Sequence, residues 1–237
     1  MTLLSVNVNK IATLRNSRGS NFPDLLKVTK DIQDFGAQGI TIHPRPDERH
    51  IKYSDAYSLK KIVLSEFNIE GKPISKFMDL VLEIKPDQVT LVPDNIDSLT
   101  SDQGWDTIKN HDFLKSIVKK LKKEDIRTSI FVNPDPDMVI GAHSIGADRI
   151  ELYTEPYASN YKINRDLAIE PYIEVAKKAN ELGIGINAGH DLNLDNIEFF
   201  SKKISRLLEV SIGHALICES LYLGLENVIP MYIGKIN

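Results

Sequence analysis

The chain predicts an α/β protein, a (β/α)8 TIM barrel with extra helices, and three observations carry that expectation. Short β-rich runs alternate with helical patterns throughout, the mark of a parallel sheet joined by crossover helices. The length of 237 residues is near that of one eight-fold barrel. Seven of the eight strand-like runs end on, or within two residues of, a polar side chain able to do chemistry: Asn7, His43, Glu70, Asn133, Glu151, Asn187 with His190, and His214. In a parallel barrel every strand points the same way, so such residues converge on one mouth, where this fold builds its sites.

Strands are expected near residues 3–7, 39–43, 67–70, 88–92, 127–133, 149–153, 183–188 and 208–212. Several are largely apolar on both faces, as buried parallel strands are, and Gln88-Val89-Thr90-Leu91-Val92 is an example despite its threonine. Pro23-Asp24 opens a helix that ends at Gly36, Ser54-Asp55 opens the next, and Ser75 caps a third running to Ile84. From Asp112 to Lys122, Phe113, Ile117, Val118 and Leu121 recur with amphipathic spacing. Pro136 to Gly146, Glu170 to Leu182, Asp195 to Ser201 and His214 to Leu225 complete the helices. Residues 8–22 and 93–109 form long connectors on the side where the strands end, a place for loops that close over a site. A doubly wound open sheet is the runner-up, but no Gly-x-Gly-x-x-Gly follows the first strand. No linker or composition shift interrupts the chain, so residues 1–237 are expected to form a single TIM-barrel domain.

A formal net charge of -4 does not favour nucleic acid, so an anionic ligand must be held by local cations and backbone dipoles. Cys218 is the only cysteine, which excludes an internal disulfide and suits a reducing cytosol. Within Ala215-Leu216-Ile217-Cys218 it is expected as a small buried hydrophobe. No apolar run approaches the roughly 20 residues that span a bilayer, and Met1 to Asn7 reads as a strand rather than a signal peptide. A soluble, cytoplasmic protein without a membrane partner is the expectation.

Lys10, Arg15 and Arg18 place three cations after the first strand, and arginine forks match phosphate oxygens. The competing reading is a solvated loop of surface salt bridges. His43 and Arg45, two apart in a proline-stiffened segment, would be aimed the same way by an extended backbone. His43 can carry protons near neutral pH or simply pack at a strand end. Arg49 is read as a solvent-exposed charge. Glu70, ending a buried strand, has a raised pKa unless paired, and the alternative is an ion pair with Lys72. Glu151 has the same two readings. Asn187-Ala188-Gly189-His190-Asp191 and Ile212-Gly213-His214 follow the last two strands, the usual phosphate cradle of this barrel. His111 and His143 read as structural or surface residues, and Trp105 as a packing anchor for the second long connector.

Taken in order, Asn7 through Gly19, Gly39 through Ile51, Asn68-Ile69-Glu70, Leu91-Val92-Pro93, Ile150-Glu151, Asn187-Ala188-Gly189-His190 and Ile212-Gly213-His214-Ala215 resemble the pyridoxine 5'-phosphate synthase family. The resemblance runs from residue 3 to about residue 232. It implies a barrel with extra helices assembled as a homo-octamer of four dimers, working without metal or organic cofactor. It implies condensation of 1-deoxy-D-xylulose 5-phosphate with 3-amino-2-oxopropyl phosphate to give pyridoxine 5'-phosphate, inorganic phosphate and water. His43 and Glu70 then match proton acceptors, His190 a proton donor, and Glu151 a transition-state stabiliser. Arg45, His50 and Thr100 match positions that hold the deoxyxylulose phosphate. Asn7, Arg18, Asp191, Gly213 and His214 match positions around the amino-ketone phosphate. Asn9-Lys10 stands where the family has Asp-His, Asp191 replaces a glycine, and Thr154-Glu155 replaces Thr-Gly. The chemistry suits the residues, since amine–ketone condensation, phosphate elimination and aromatisation need many proton transfers and no redox step.

Three rivals are weighed against it. A metal-dependent barrel hydrolase or isomerase would use His43, Glu70, Glu151 and His190 as ligands, but no His-x-His ends the first strand. A Schiff-base aldolase lacks a lysine at a strand end, although Lys10 and Lys72 are near. A non-catalytic phosphate-binding barrel would bind without turnover.

Overall fold

Along each strand, alternate residues face opposite sides of the sheet, and here the two sides differ sharply in chemistry. Leu4 and Val6, Ile40 and Ile42, Phe67 and Ile69, and Val89 and Leu91 are fully buried in the main apolar core. Between them stand Ser5, Thr41, Asn68 and Thr90, also buried, which hydrogen-bond to one another around the barrel interior: Ser5 Oγ to Thr41 Oγ1 at 2.8 Å, Asn68 Nδ2 to Thr41 Oγ1 at 3.3 Å and Thr90 Oγ1 to Asn68 Oδ1 at 3.1 Å. The strands are therefore apolar on the side that meets the helices and polar on the side that lines the barrel. Sequence reading of largely apolar strands holds for the outer face only.

The computed structural model describes residues 1–94 and 103–237. Its strands are β1 Leu3–Asn7, β2 Gly39–Ile42, β3 Glu66–Gly71, β4 Gln88–Leu91, β5 Arg127–Val132, β6 Arg149–Leu152, β7 Gly185–Gly189 and β8 Leu207–Ile212. All neighbours pair in parallel, and β1 pairs with β8 through Leu3↔Glu209 and Val6↔Ile212, which closes the barrel. The described helices are α1 Asn9–Asn16, α2 Leu25–Asp34, α3 Tyr53–Lys60, α4 Ser75–Ile84, α5 His111–Lys122, α6 Pro136–Ile145, α7 Glu155–Leu182, α8 Ile197–Lys203, α9 His214–Leu223 and α10 Leu225–Ile236.

Local chemistry sets several of these boundaries. Asp24 caps α2 by accepting from Leu26 N at 2.9 Å and Lys27 N at 3.1 Å. Asp135 caps α6 with Pro136 in its first turn, and Gly146 at φ 90 ends it in the left-handed region. On α5 the buried stripe is Leu114, Ile117, Val118 and Leu121. Phe113 is exposed and tilts against Trp105, ring centroids 6.1 Å apart, so it serves the neighbouring connector rather than the core.

Three expectations need correction. Residues 8–22 are not a long loop: α1 occupies much of them, because Ile11, Ala12 and Arg15 present a short buried face. The helix expected over Glu170 to Leu182 is the second half of α7, which starts at Glu155 and kinks at Asn164, where φ/ψ is non-helical. Past Leu225, α10 adds a helix whose Val228, Ile229, Tyr232 and Ile236 are buried. Of the second connector, residues 103–109 are described; Trp105 is buried and donates its backbone N–H to Phe131 O at 2.8 Å, as its anchoring role requires.

Candidate active site

A cavity of about 590 Å³ opens where the strands end, within the range of small-molecule sites. Its first wall is built from β1 and β2. Asn7 Oδ1 accepts from Asn9 N at 3.0 Å, and Asn9 Oδ1 accepts from His43 N at 2.9 Å. Asn9 thereby fixes the backbone from which His43 projects, and Lys10, next along α1, reaches the cavity from its rim. Arg15 turns inward and pairs bidentately with Asp55, both contacts at 2.8 Å, which ties α1 to α3.

His43 and Arg45 both line the cavity, as the extended spacing requires. His43 Nδ1 is 3.8 Å from Glu70 Oε2, and its Nε2 is 4.0 Å from Asp94 Oδ2. Burial, reinforced by the Arg45 and Arg49 guanidinium groups, pushes the imidazole down to about 3, so it is neutral at physiological pH. His50 is lowered to about 3 as well, by burial first and then by His43, Arg45 and Lys10. Its Nδ1 accepts from Ile51 N at 2.9 Å, which leaves the proton on Nε2.

The acids behave in the opposite way. Burial, then the charges of Glu151, Asp94 and Glu209, hold the Glu70 carboxyl well above the usual range. Glu151 is pushed up to about 7 by burial, tempered by a hydrogen bond from Thr90 Oγ1 at 3.4 Å and by His190. Burial thus favours the protonated form of one acid and poises another near neutrality beside a neutral imidazole.

The far wall comes from β7 and β8. A Cβ on Gly189 would stand 2.6 Å from Ser211 O and 3.2 Å from Glu151 Oε1, so only glycine lets this turn pass so close to the acid. The next residue, His190, takes φ 57, a left-handed conformation that for a non-glycine residue costs on the order of 1 kcal/mol or more and marks functional turns. Its Nδ1 is 2.7 Å from Asp191 Oδ2, and its ring meets Tyr153 edge-on at 5.3 Å. The hydrogen bond from His190 holds Asp191 below the usual carboxylate range. Gly213 precedes α9 with no side-chain cap, so the first amides of that helix face no competing side-chain acceptor and can receive an anion. His214 opens α9 and lines the same cavity.

Of the residues marked from sequence, Asn7, Asn9, Lys10, His43, Arg45, His50, Glu70, Glu151, His190, Asp191, Gly213 and His214 all line this one cavity. Arg18 does not: it is exposed on the turn after α1, because that helix carries the chain away from the mouth. Thr100 lies outside the described residues. Two of the polar strand ends also miss the cavity. Asn133 Oδ1 accepts from Gly104 N at 2.9 Å, and Asn187 bonds Arg149 and Glu209 deeper in the barrel. Arg49, read as a solvent charge, instead lines the cavity, held by Asp47 at 2.7 Å. Cys218 is half-buried rather than buried, with its Sγ 3.6 Å from His214 Nε2 one helical turn away. Sequence reasoning passed over Asp94, Phe131 and Tyr153; the alternation of strand residues could have found the last two, which continue the inward faces of β5 and β6. Among the described residues no group of three or more His, Cys, Asp and Glu side chains could hold a metal ion.

A family model described as pyridoxal phosphate biosynthesis protein PdxJ matches residues 4–237. A protein of Flavobacterium johnsoniae named pyridoxine 5'-phosphate synthase is 64% identical over 236 residues, covering 100% of both chains. One of the same name from Cytophaga hutchinsonii is 61% identical, covering 100% of this chain and 99% of its own. Among solved structures, a thiamine phosphate pyrophosphorylase from Pyrococcus furiosus superposes with a TM-score of 0.62 at 13% identity, over 99% of this chain and 95% of that one. An N-(5'-phosphoribosyl)anthranilate isomerase from the same organism gives 0.62 at 13% identity, over 100% and 98%. These last two similarities establish the barrel fold alone.

Proposed function

We propose, from the premise that the chain belongs to the pyridoxal phosphate biosynthesis protein PdxJ family, that it is a pyridoxine 5'-phosphate synthase. It condenses 1-deoxy-D-xylulose 5-phosphate with 3-amino-2-oxopropyl phosphate, closes the pyridine ring and releases inorganic phosphate and water. The observation that supports the residue roles is the convergence of His43, Glu70, Glu151 and His190 on one cavity, with Arg45 and Arg49 on one wall and Gly213 and His214 on another. Arg45 and His50 hold the deoxyxylulose phosphate on one side, and Asn7, Asp191, Gly213 and His214 surround the amino-ketone phosphate on the other. Only the backbone of Asp191 is suited to that contact, because its carboxylate is engaged with His190.

The amine must shed a proton before it attacks the ketone, and neutral His43 is an acceptor present at physiological pH. Arg45 and Arg49 depress its basicity, so a phosphate dianion that neutralises them returns part of it when substrate arrives. Glu70, whose protonated form burial favours, gives its proton to a departing oxygen, and the carboxylate left behind is a strong base that serves as the second acceptor. His190, steadied by Asp191 and Tyr153, donates to departing oxygens. Glu151, near neutrality, meets the positive charge that develops on the condensing nitrogen.

Assembly into a homo-octamer of four dimers and a cytoplasmic location complete the proposal. Leu221 and Tyr222 on α9, with Ile163 on α7, are large apolar side chains left 76%, 89% and 81% exposed, which supports self-association. Incubating the purified protein with both phosphorylated substrates should yield pyridoxine 5'-phosphate and inorganic phosphate in equal amounts. Binding of both without either product would overturn the activity and favour a binding barrel.

A further inference from the structure

Asp94 follows β4 and has no role in the chemistry described so far. It is 8% exposed, and one oxygen, Oδ2, faces two working residues: Arg45 Nη1 at 3.5 Å and His43 Nε2 at 4.0 Å. We propose that Asp94 is a positioning residue, whose carboxylate selects the tautomer of His43 that keeps Nδ1 free to accept a proton and at the same time aims Arg45 at the deoxyxylulose phosphate. The inference rests on the synthase activity proposed above and adds a residue to it.

Geometry leaves the His43 ring little choice. Its two nitrogens point at two different acids, Nδ1 toward Glu70 Oε2 at 3.8 Å and Nε2 toward Asp94 Oδ2. A neutral imidazole carries one proton, and the two acids compete to define which nitrogen holds it. Glu70 is buried beside further carboxylates, which favours its protonated form, and a carboxylic acid can donate to Nδ1. Asp94 is ion-paired with Arg45, which favours its ionised form, and a carboxylate can only accept. The one assignment that gives both contacts a donor and an acceptor is Glu70 O–H toward Nδ1 and Nε2–H toward Asp94. Loss of the Glu70 proton, or its displacement by substrate, then exposes the Nδ1 lone pair to the cavity. Distances of 3.8 and 4.0 Å exceed hydrogen-bond length; catalytic contacts commonly shorten in the substrate complex. The Arg45 contact gives the same carboxylate a second effect, because it limits the rotamers of a long side chain that must meet a phosphate.

Nitrogen-15 NMR of the histidine-labelled wild-type protein reads the tautomer directly, with His43 assigned by the signal lost in His43→Gln. The expected result at neutral pH is a proton on Nε2, which turns mixed or reversed in Asp94→Ala. In that variant kcat should fall by about 100-fold to 10⁴-fold, the upper figure being the loss that follows replacement of a tautomer-setting aspartate elsewhere. KM for the deoxyxylulose phosphate should rise about tenfold, and KM for the amino-ketone phosphate should stay unchanged. Asp94→Glu keeps a carboxylate, which can only accept from Nε2–H, so it should keep the tautomer and recover most of the lost kcat. A wild-type His43 protonated on Nδ1 would overturn the assignment, and so would an Asp94→Glu enzyme that holds Nε2–H yet is no faster than Asp94→Ala. Since the tautomer is read without turnover, a protein with Nε2–H that makes no pyridoxine phosphate would leave the Asp94 geometry standing and remove the reaction alone.

Discussion

At the floor of the barrel, Glu209 lies 2.9 Å from Arg149 and Glu66 is ion-paired with Arg127, while at the mouth Glu70 and Glu151 are equally buried beside a neutral imidazole and a threonine hydroxyl. Both regions raise carboxyl pKa values through burial, and Glu209 is held up by burial and by Glu66 even though Arg149 pulls it down. What differs is compensation. The floor sets two guanidinium groups against two carboxylates, so its protons have little reason to move and its charges brace the strands together. Among the described residues the mouth gathers acids without an arginine paired to Glu70 or Glu151, so protonation there is decided by whatever enters. One scaffold, lined on its inner face with polar residues throughout, thus makes a brace at one end and a proton-transfer site at the other.

The largest effect that would sharpen this contrast comes from Glu70→Gln. Turnover should fall by about a thousandfold or more, with both KM values within a few fold of the wild type, because the group moves protons rather than binding phosphate. Steady-state kinetics would show it, and unchanged turnover would remove Glu70 from the chemistry. Removing a floor charge should act on stability instead. Arg149→Met leaves Glu209 buried without its partner, which should cost about 3–5 kcal/mol and lower the melting temperature by roughly 10 °C. A melting curve matching the wild type would show that the floor does not brace the fold. Arg45→Ala is expected to raise KM for the deoxyxylulose phosphate by about 10- to 100-fold and spare the other substrate; equal losses for both would break the two-wall assignment.

The smallest effect concerns pH and Glu151, whose folded pKa of about 7 exceeds the reference 4.5. Between those values the folded state binds more protons than the unfolded state, so ΔG of unfolding falls as pH rises. The stabilisation is fully present below pH 4.5 and gone once pH has passed about 7. It amounts to no more than about 3 kcal/mol. Glu151→Gln should flatten this part of the profile, leaving the share that belongs to Glu70 and Glu209. A denaturation series from pH 4.5 to 8 with identical slopes in both proteins would contradict it.

Much of the mouth was legible because a strand's end is a fixed address in a parallel barrel. His43, Glu70, Glu151 and His190 could be placed on one face from chain position alone. Arg18 was misplaced because α1 turns it outward, and a short amphipathic helix broken by Asn and Lys gives too weak a period to be seen beforehand. Asn133 follows the end of β5 yet serves a connector, and Asn187 lies two residues inside the end of β7, one inward-facing layer below Gly189, so it serves the floor. Asp94 was overlooked because its partners His43 and Arg45 follow a different strand, which spacing along the chain does not reveal, and Arg49 was misread because a run of charges after a strand does not show which one turns into the cavity. α10 was hidden by Pro230, which reads as a breaker but sits within the helix here.

A carbon-13 titration of the side-chain carboxyls of Glu70 and Glu151 tests the central contrast most directly. The expected result is a Glu151 midpoint near 7 and a Glu70 midpoint raised well above the ordinary carboxylate value. Midpoints for both in the ordinary carboxylate range, about 4 to 5, would show that burial does not hold protons at the mouth, and the account of its proton chemistry would fail.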